Sequence, residues 1–176
     1  NNLNSLLSVM GCMEEFNIPN LIFSSSCSVY GNSKELPVTE STALQAAESP
    51  YARTKQVGEE MIRDYLVSQP NHRSILLRYF NPAGAHTSNL IGESPSVSPS
   101  NLVPVITETG IGKREKVSVF GDDYDTRDGT GERDYIHVCD LARGHVLSLR
   151  NLIETDIGHL VNLGTGEART FLDLAL

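Results

Sequence analysis

An α/β fold built on a parallel sheet is what this sequence predicts, on three observations. Two short apolar runs, "LIFSSS" and "SILLRYF", are continuous rather than alternating, as expected for strands buried on both faces. Apolar residues before and between them recur at helical spacing. The links are short, and helix, strand, helix, strand with short links is the rhythm of parallel α/β proteins.

Each element has its own warrant. Leu3, Leu6, Leu7, Met10, Met13 and Phe16 recur three to four residues apart, predicting an amphipathic helix already under way at residue 1. After the turn "NIPN", the run "LIFSSS" is a strand whose carboxyl end opens into the hydroxyls of Ser24, Ser25, Ser26 and Ser28. Ser49 as N-cap and Pro50 at the first helical position start the next helix. "SILLRYF" is the second strand, ended by Pro82. From 83 to 104 the texture turns to Gly, Ser, Pro and Asn, which marks a boundary between a first domain, 1–82, and a second region, 83–176, with segments returning to the main sheet. "KVSVFG" predicts a strand, "DDYDTRDGTGERD" a charged loop and "YIHV" another strand. Asp140 caps a helix through Leu141, His145, Leu149 and Leu152, "HLVNLG" is a strand, and Thr170 caps a final helix reaching Leu176. Both ends fall inside an element, which leads us to expect an internal piece of a longer protein.

Composition excludes several classes of partner. A net charge of −8 and a pI near 5.0 give no electrostatic footprint for nucleic acid or an anionic membrane. There is no apolar run of about 18 residues, and "NNLNSLLSVM" has neither a basic start nor a small-residue cleavage site, so a soluble, cytoplasmic protein is expected. Cys12, Cys27 and Cys139 are odd in number and far apart, which reads as reduced, mostly packed thiols.

The stretch "SPYARTK" places Tyr51 four residues before Lys55. On a helical wheel Lys55 lies about 40° from Tyr51, inside the arc of Val57, Met61, Ile62, Tyr65 and Leu66. Gln56, Glu59, Glu60, Arg63 and Asp64 fill the opposite, solvated arc. A lysine among apolar residues either carries its ammonium out to water along its stem or serves a chemistry. An ammonium near a phenol favours the phenolate and fits Tyr51 for general acid/base work. The pattern alone is weak. Strand-end serines raise it, because ligands of open α/β sheets bind beyond the carboxyl ends of strands, and "RYFNPAGAH" after the next strand adds a third part.

With "FSSSCSVYG", "SPYARTK", "LLRYFNPAGAH", "NLVPVI", "VFGDDYDTRDGTGERDYIHVCDLARGH" and "NLGTGE" together, the chain resembles the extended short-chain dehydrogenase/reductase family, and within it the enzymes that act on nucleotide sugars. That resemblance implies the C-terminal half of a Rossmann-type doubly wound parallel sheet plus part of a smaller substrate-binding domain. It implies NAD as cofactor, a UDP-sugar as substrate, a homodimer, and epimerisation at carbon 4 of UDP-glucose or UDP-galactose through a 4-keto sugar, a step of galactose metabolism. Tyr51 would be the catalytic base, Lys55 would bind the nicotinamide ribose and depress the tyrosine's pKa, and Ser26 would bind the reacting hydroxyl. Tyr79 and Phe80 would border the nicotinamide, and Asn1 would match a cofactor-contacting asparagine. Cys27 and Ser28 beside Ser26, together with Asn81, Asn101, Leu102 and Val103, would line the sugar site. Ser118, Val119, Phe120 and Arg133 would complete it, the guanidinium suiting a diphosphate.

Some of the family pattern is missing. Cys27 and Ser28 stand where alanine and threonine are usual. No GxGxxG-type turn occurs, since "GIGKRE" and "NLGTGE" each lack the third glycine. The pyrophosphate-binding turn would precede residue 1, so this stretch by itself is expected neither to hold NAD tightly nor to turn over. A dehydratase would place paired acid/base carboxylates near the tyrosine, where Glu48 and Ser49 stand instead. An inactive binding module is disfavoured by the intact Ser26, Tyr51 and Lys55. A calcium loop in "DDYDTRDGTGE" fails on register, with Arg127 at the fifth position and Asp128 where glycine is required. His86 and His137 lack paired metal-ligand spacing and read as structural, so no metal is expected. Ser26 lacks the GxSxG context of a hydrolase nucleophile.

Overall fold

The computed structural model describes residues 2–93 and 96–175. They divide into two compact units, residues 2–79 with 142–163 and residues 80–141 with 164–175, and the division falls inside a helix.

In the first unit, helix α1 (Asn2–Glu15) leads into strand β1 (Asn20–Ser26), a short 3-10 turn (Cys27–Tyr30), helix α2 (Pro50–Ser68) and strand β2 (Arg73–Tyr79). Helix α4 (Val138–Thr155) enters this unit at Ala142, and strand β5 (His159–Leu163) follows it. The strands run parallel in the order β1-β2-β5, with Ser25 opposite Arg78 and Ser26 opposite Tyr79. Alternation along the strands explains the continuous apolar runs, because both faces are covered. Leu76 packs with Leu6, Met10 and Ile62 of α1 and α2 on one face. Ile75 and Leu77 pack with Leu152 of α4 on the other.

The second unit is smaller in regular structure. Strand β3 (Asn81–Ala83), helix α3 (Leu102–Gly110), strand β4 (Glu132–His137), strand β6 (Ala168–Thr170) and helix α5 (Phe171–Ala175) make it up. Strands β3 and β4 are parallel, and β6 joins β4 antiparallel. A reciprocal cap starts α5: Asp173 N–H donates to Thr170 Oγ1 at 3.2 Å, and Thr170 N–H donates to Asp173 Oδ2 at 2.9 Å.

Four expectations need correction. Asp140, expected to cap its helix, lies inside the first turn of α4, and His137 Nδ1 accepts from Cys139 N–H at the helix start instead. "KVSVFG" forms no strand: residues 116–120 have no ladder partner among the described residues, and Val119 and Phe120 are exposed. Alternation marks a strand only where a neighbouring strand accepts its backbone groups. Residues 102–110, whose first three fall in the stretch expected to be loop, form α3. Gln56 and Glu59, assigned to the solvated arc of α2, are buried. A wheel sorts residues by type, and here the polar groups find partners: Gln56 Nε2 donates to the backbone oxygens of Val29 at 2.9 Å and Gln45 at 2.8 Å. Of the thiols, Cys12 is exposed, while Cys27 and Cys139 are partly buried.

Candidate functional site

Ser26 closes β1 in an extended conformation, and its Oγ caps the following 3-10 turn by accepting from Ser28 N–H at 3.2 Å and Ser28 Oγ at 3.0 Å. Gly31 ends that turn at φ 59°, where a Cβ would stand 2.6 Å from the Ala46 backbone oxygen, so the chain needs glycine there. Helix α2 starts as the sequence predicts. Ser49 is extended, its Oγ accepts from Ala52 N–H at 3.1 Å, and Pro50 follows. This start puts Tyr51 in the first turn, where the Ser26 side chain acts to pull the phenol's pKa down.

Lys55 lies one turn further along. Its ammonium turns inward: Nζ donates to the Ser24 backbone oxygen at 2.7 Å and lies 5.2 Å from the centre of the Phe23 ring and 5.5 Å from that of Tyr51. The stem does not carry the charge out to water, which resolves the alternative left by the wheel. With one N–H on Ser24 and no other hydrogen bond among the described residues, two donors remain for a ligand. On the opposite face of the sheet, Ser24 Oγ lies 3.3 Å from His145 Nε2, and the His145 ring tilts against Tyr79 at 6.0 Å.

The electrostatics differ from the sequence expectation in one respect. Burial pushes the Tyr51 phenol above its ordinary value, the Ser26 hydrogen bond pulls it back, and Tyr79 and Cys27 add to the rise. The net shift is upward even with the Lys55 ammonium 5.5 Å from the ring centre. Burial lowers the lysine's own pKa, and its ammonium is directed at the strand carbonyl rather than at the phenol oxygen.

In the second unit, a cleft of about 700 Å³ gathers the sugar-site candidates of that region. Asn81, Asn101, Leu102 and Val103 line it, as do Ser118, Val119, Phe120 and Arg133. The size is that of a small-molecule site. Loss of the expected strand at 116–120 is what lets that segment serve as a wall. Arg133 Nη1 donates to the Glu132 backbone oxygen at 2.7 Å, and the side chain makes no ion pair among the described residues. Its neighbour Asp134 is engaged elsewhere, accepting from Thr165 and Gly166 N–H. Phe80 packs against Gly164, whose added Cβ would be 2.9 Å from the ring. His86 shares a hydrogen bond with Ser88, and His137 Nδ1 accepts from Cys139 N–H, so both serve local structure. Asn1 lies outside the described residues.

Sequence reasoning missed Lys116, Tyr135 and Thr130 in the cleft wall, and the buried Glu59. Tyr135 stands in "RDYIHV", where a strand was predicted, and its place in the wall follows only from the strand's pairing.

A parallel α/β sheet covered by helices on both faces, with serine, tyrosine and lysine gathered at a strand's carboxyl end, defines a Rossmann-type fold. The chain belongs to the NAD dependent epimerase/dehydratase family, whose pattern matches residues 1–164. It is 46% identical over 173 residues to human UDP-glucose 4-epimerase, covering 98% of this chain and 50% of that protein. UDP-glucose-4-epimerase from Stenotrophomonas maltophila, crystallised with NAD and formylated UDP-arabinopyranose, superposes with a TM-score of 0.94 at 45% identity, covering 98% of this chain and 51% of that one. The enzyme from Bifidobacterium longum, in complex with NAD+ and UDP, gives 0.91 at 46% identity over 98% and 51%. The chain thus spans about half the length of the curated relatives it matches.

Proposed function

We propose that this chain is the segment of an NAD-dependent UDP-glucose 4-epimerase that carries the proton-transfer residues and one wall of the sugar site. The observation that carries this reading is the convergence of Ser26, Tyr51 and Lys55 at the end of β1. The likeness to epimerases crystallised with NAD and a UDP-sugar, or with NAD+ and UDP, supports it.

The residues present fit the nicotinamide end of the cofactor. The two remaining donors of Lys55 match a ribose diol, and Tyr51 is open to a ligand at 48% exposure. No glycine-rich turn for the pyrophosphate occurs within the 176 residues. When bound, NAD supplies the hydride acceptor, returns the hydride, and brings a cationic ring.

Tyr51 would take the proton from the sugar's 4-hydroxyl while the hydride lost from C4 would go to the bound cofactor, and the two losses together leave a 4-keto sugar. Ser26 hydrogen-bonds the reacting oxygen and passes the polarity of Ser28 to it. After the sugar presents its other face, Tyr51 returns the proton to the 4-oxygen. Lys55 holds its position through Ser24, and Arg133 pairs with the diphosphate. Positioning and electrostatics are the protein's share of the work. A cytoplasmic homodimer in galactose metabolism goes with this reading through the same likeness, as does inactivity of the 176-residue stretch taken alone.

Incubating the complete protein that contains this chain with UDP-galactose and, separately, UDP-N-acetylgalactosamine tests the reading. Conversion of UDP-galactose to UDP-glucose is expected. Its absence in a folded, NAD-loaded protein contradicts the proposal.

A further inference from the structure

Glu59 is fully buried two helical turns beyond Tyr51, on α2. Its carboxylate is saturated. Oε1 accepts from Ser25 Oγ at 2.6 Å and Arg78 Nε at 2.8 Å, and Oε2 accepts from Arg78 Nη2 at 2.5 Å and Arg63 Nη2 at 2.8 Å. Ser25 and Arg78 are opposite each other in the β1–β2 ladder. One carboxylate therefore ties α2 to two adjacent strands at a single rung. The Arg78 guanidinium also lies 4.8 Å from the centre of the Tyr30 ring, and Tyr30 OH donates to Asn162 Oδ1 of β5 at 2.6 Å, so the network reaches all three strands.

The position of that rung is informative. The next rung toward the carboxyl ends is Ser26 opposite Tyr79. The residue before Ser25 is Ser24, whose oxygen holds Lys55. Stability alone gives no reason for charges at this place, because a buried ion pair is commonly no more stable than apolar residues of the same volume. Directional bonds supply something apolar contact does not. Hydrophobic packing is non-directional and lets a helix settle at several heights along a sheet, whereas a bidentate carboxylate–guanidinium pair has one geometry.

We propose that Glu59 is a positioning residue for proton transfer: by gripping the Ser25–Arg78 rung, it sets the height of α2 along the strands and thereby the contact between Tyr51 and Ser26. This inference rests on the reading of Tyr51 as the proton-transfer residue. The groups facing Tyr51 are Ser26 and Cys27 at the end of β1, Tyr79 at the end of β2, and Lys55 on its own helix. Those facing Glu59 are Ser25, Arg78 and Arg63.

The test is a double variant of the complete protein, Glu59→Leu with Arg78→Met, which removes both buried charges together. Thermal unfolding, retention of NAD, kcat and KM for UDP-galactose, and the pH profile of kcat are measured beside the wild type. The variant is expected to unfold within a few degrees of the wild type, keep NAD and keep KM within about threefold, while kcat falls about 10- to 100-fold, the scale of an ångström misplacement. The acid limb of the profile should move to higher pH, because the Ser26 hydrogen bond that pulls the phenol down is weakened. A folded double variant with wild-type kcat and an unmoved profile overturns the inference. Should that variant not fold, Ser25→Ala, which removes one of the four bonds, decides: a lower kcat at unchanged KM supports positioning, and an unchanged kcat overturns it. A wild type inactive on UDP-galactose would instead overturn the proposed function, so the two failures are distinguishable.

Discussion

The Lys55 ammonium donates to the backbone oxygen of Ser24 at 2.7 Å, which anchors a charge from the first turns of α2 on the strand that ends in Ser26. Burial lowers the lysine's pKa, so the fold bears a desolvation cost to keep the charge there.

Lys55→Met should therefore separate stability from activity. It loses a hydrogen bond but also removes a desolvated charge, so unfolding stability is expected to change by less than about 1 kcal/mol. The kcat for UDP-galactose should fall by about 100-fold or more. In the wild type the ammonium gives up its proton below the ordinary value of 10.5, so activity that depends on it should decline as pH rises, before pH 10.5 is reached. Parallel thermal melts and pH–rate profiles check both statements.

Glu59 predicts an acid-sensitive component of stability. Burial raises its pKa, but the Arg78 and Ser25 hydrogen bonds and the charges of Arg78 and Arg63 outweigh that, and the net shift is downward from 4.5. A depressed carboxyl stabilises the fold above its unfolded pKa, and that contribution is lost as pH falls below about 4.5 through the folded value. Denaturant melts between pH 7 and pH 3 should show this loss in the wild type and less of it in the Glu59→Leu/Arg78→Met variant. Glu59→Gln, which leaves Arg78 buried without its counter-charge, should cost about 3–5 kcal/mol at neutral pH.

Arg133 has no ion-pair partner among the described residues and lines the cleft of the second unit. Arg133→Ala should raise KM for UDP-galactose about 10- to 100-fold, the equivalent of losing about 1.5–3 kcal/mol of charged hydrogen bonding, with kcat within about threefold. Unfolding temperature should not move. Steady-state kinetics at two ionic strengths check this, since salt should weaken the wild type more than the variant.

The first unit was largely legible in the sequence. Continuous apolar runs named β1 and β2, and the Ser49–Pro50 start located α2 and with it the Tyr51–Lys55 pair. The second unit was less so. Residues 116–120 alternate like a strand but have no ladder partner among the described residues, and "NLVPVITETG" is a helix whose Asn101 makes no side-chain cap bond. Burial of Glu59 could not be read from α2 alone, because its partners Ser25 and Arg78 come from two other segments. The direction of the Tyr51 shift was also beyond a helical wheel: spacing puts an ammonium near a phenol, while the aim of each group and the water around it decide the sign.

The central claim is that Tyr51 moves the proton in UDP-hexose epimerisation, and the direct measurement is the conversion of UDP-galactose to UDP-glucose by the complete protein and its Tyr51→Phe variant. The side chain is about half exposed, so the variant should fold and keep NAD. Wild-type conversion with a loss of about 100- to 10,000-fold in kcat for Tyr51→Phe is the expected result. A folded Tyr51→Phe variant that converts UDP-galactose at the wild-type rate would contradict it.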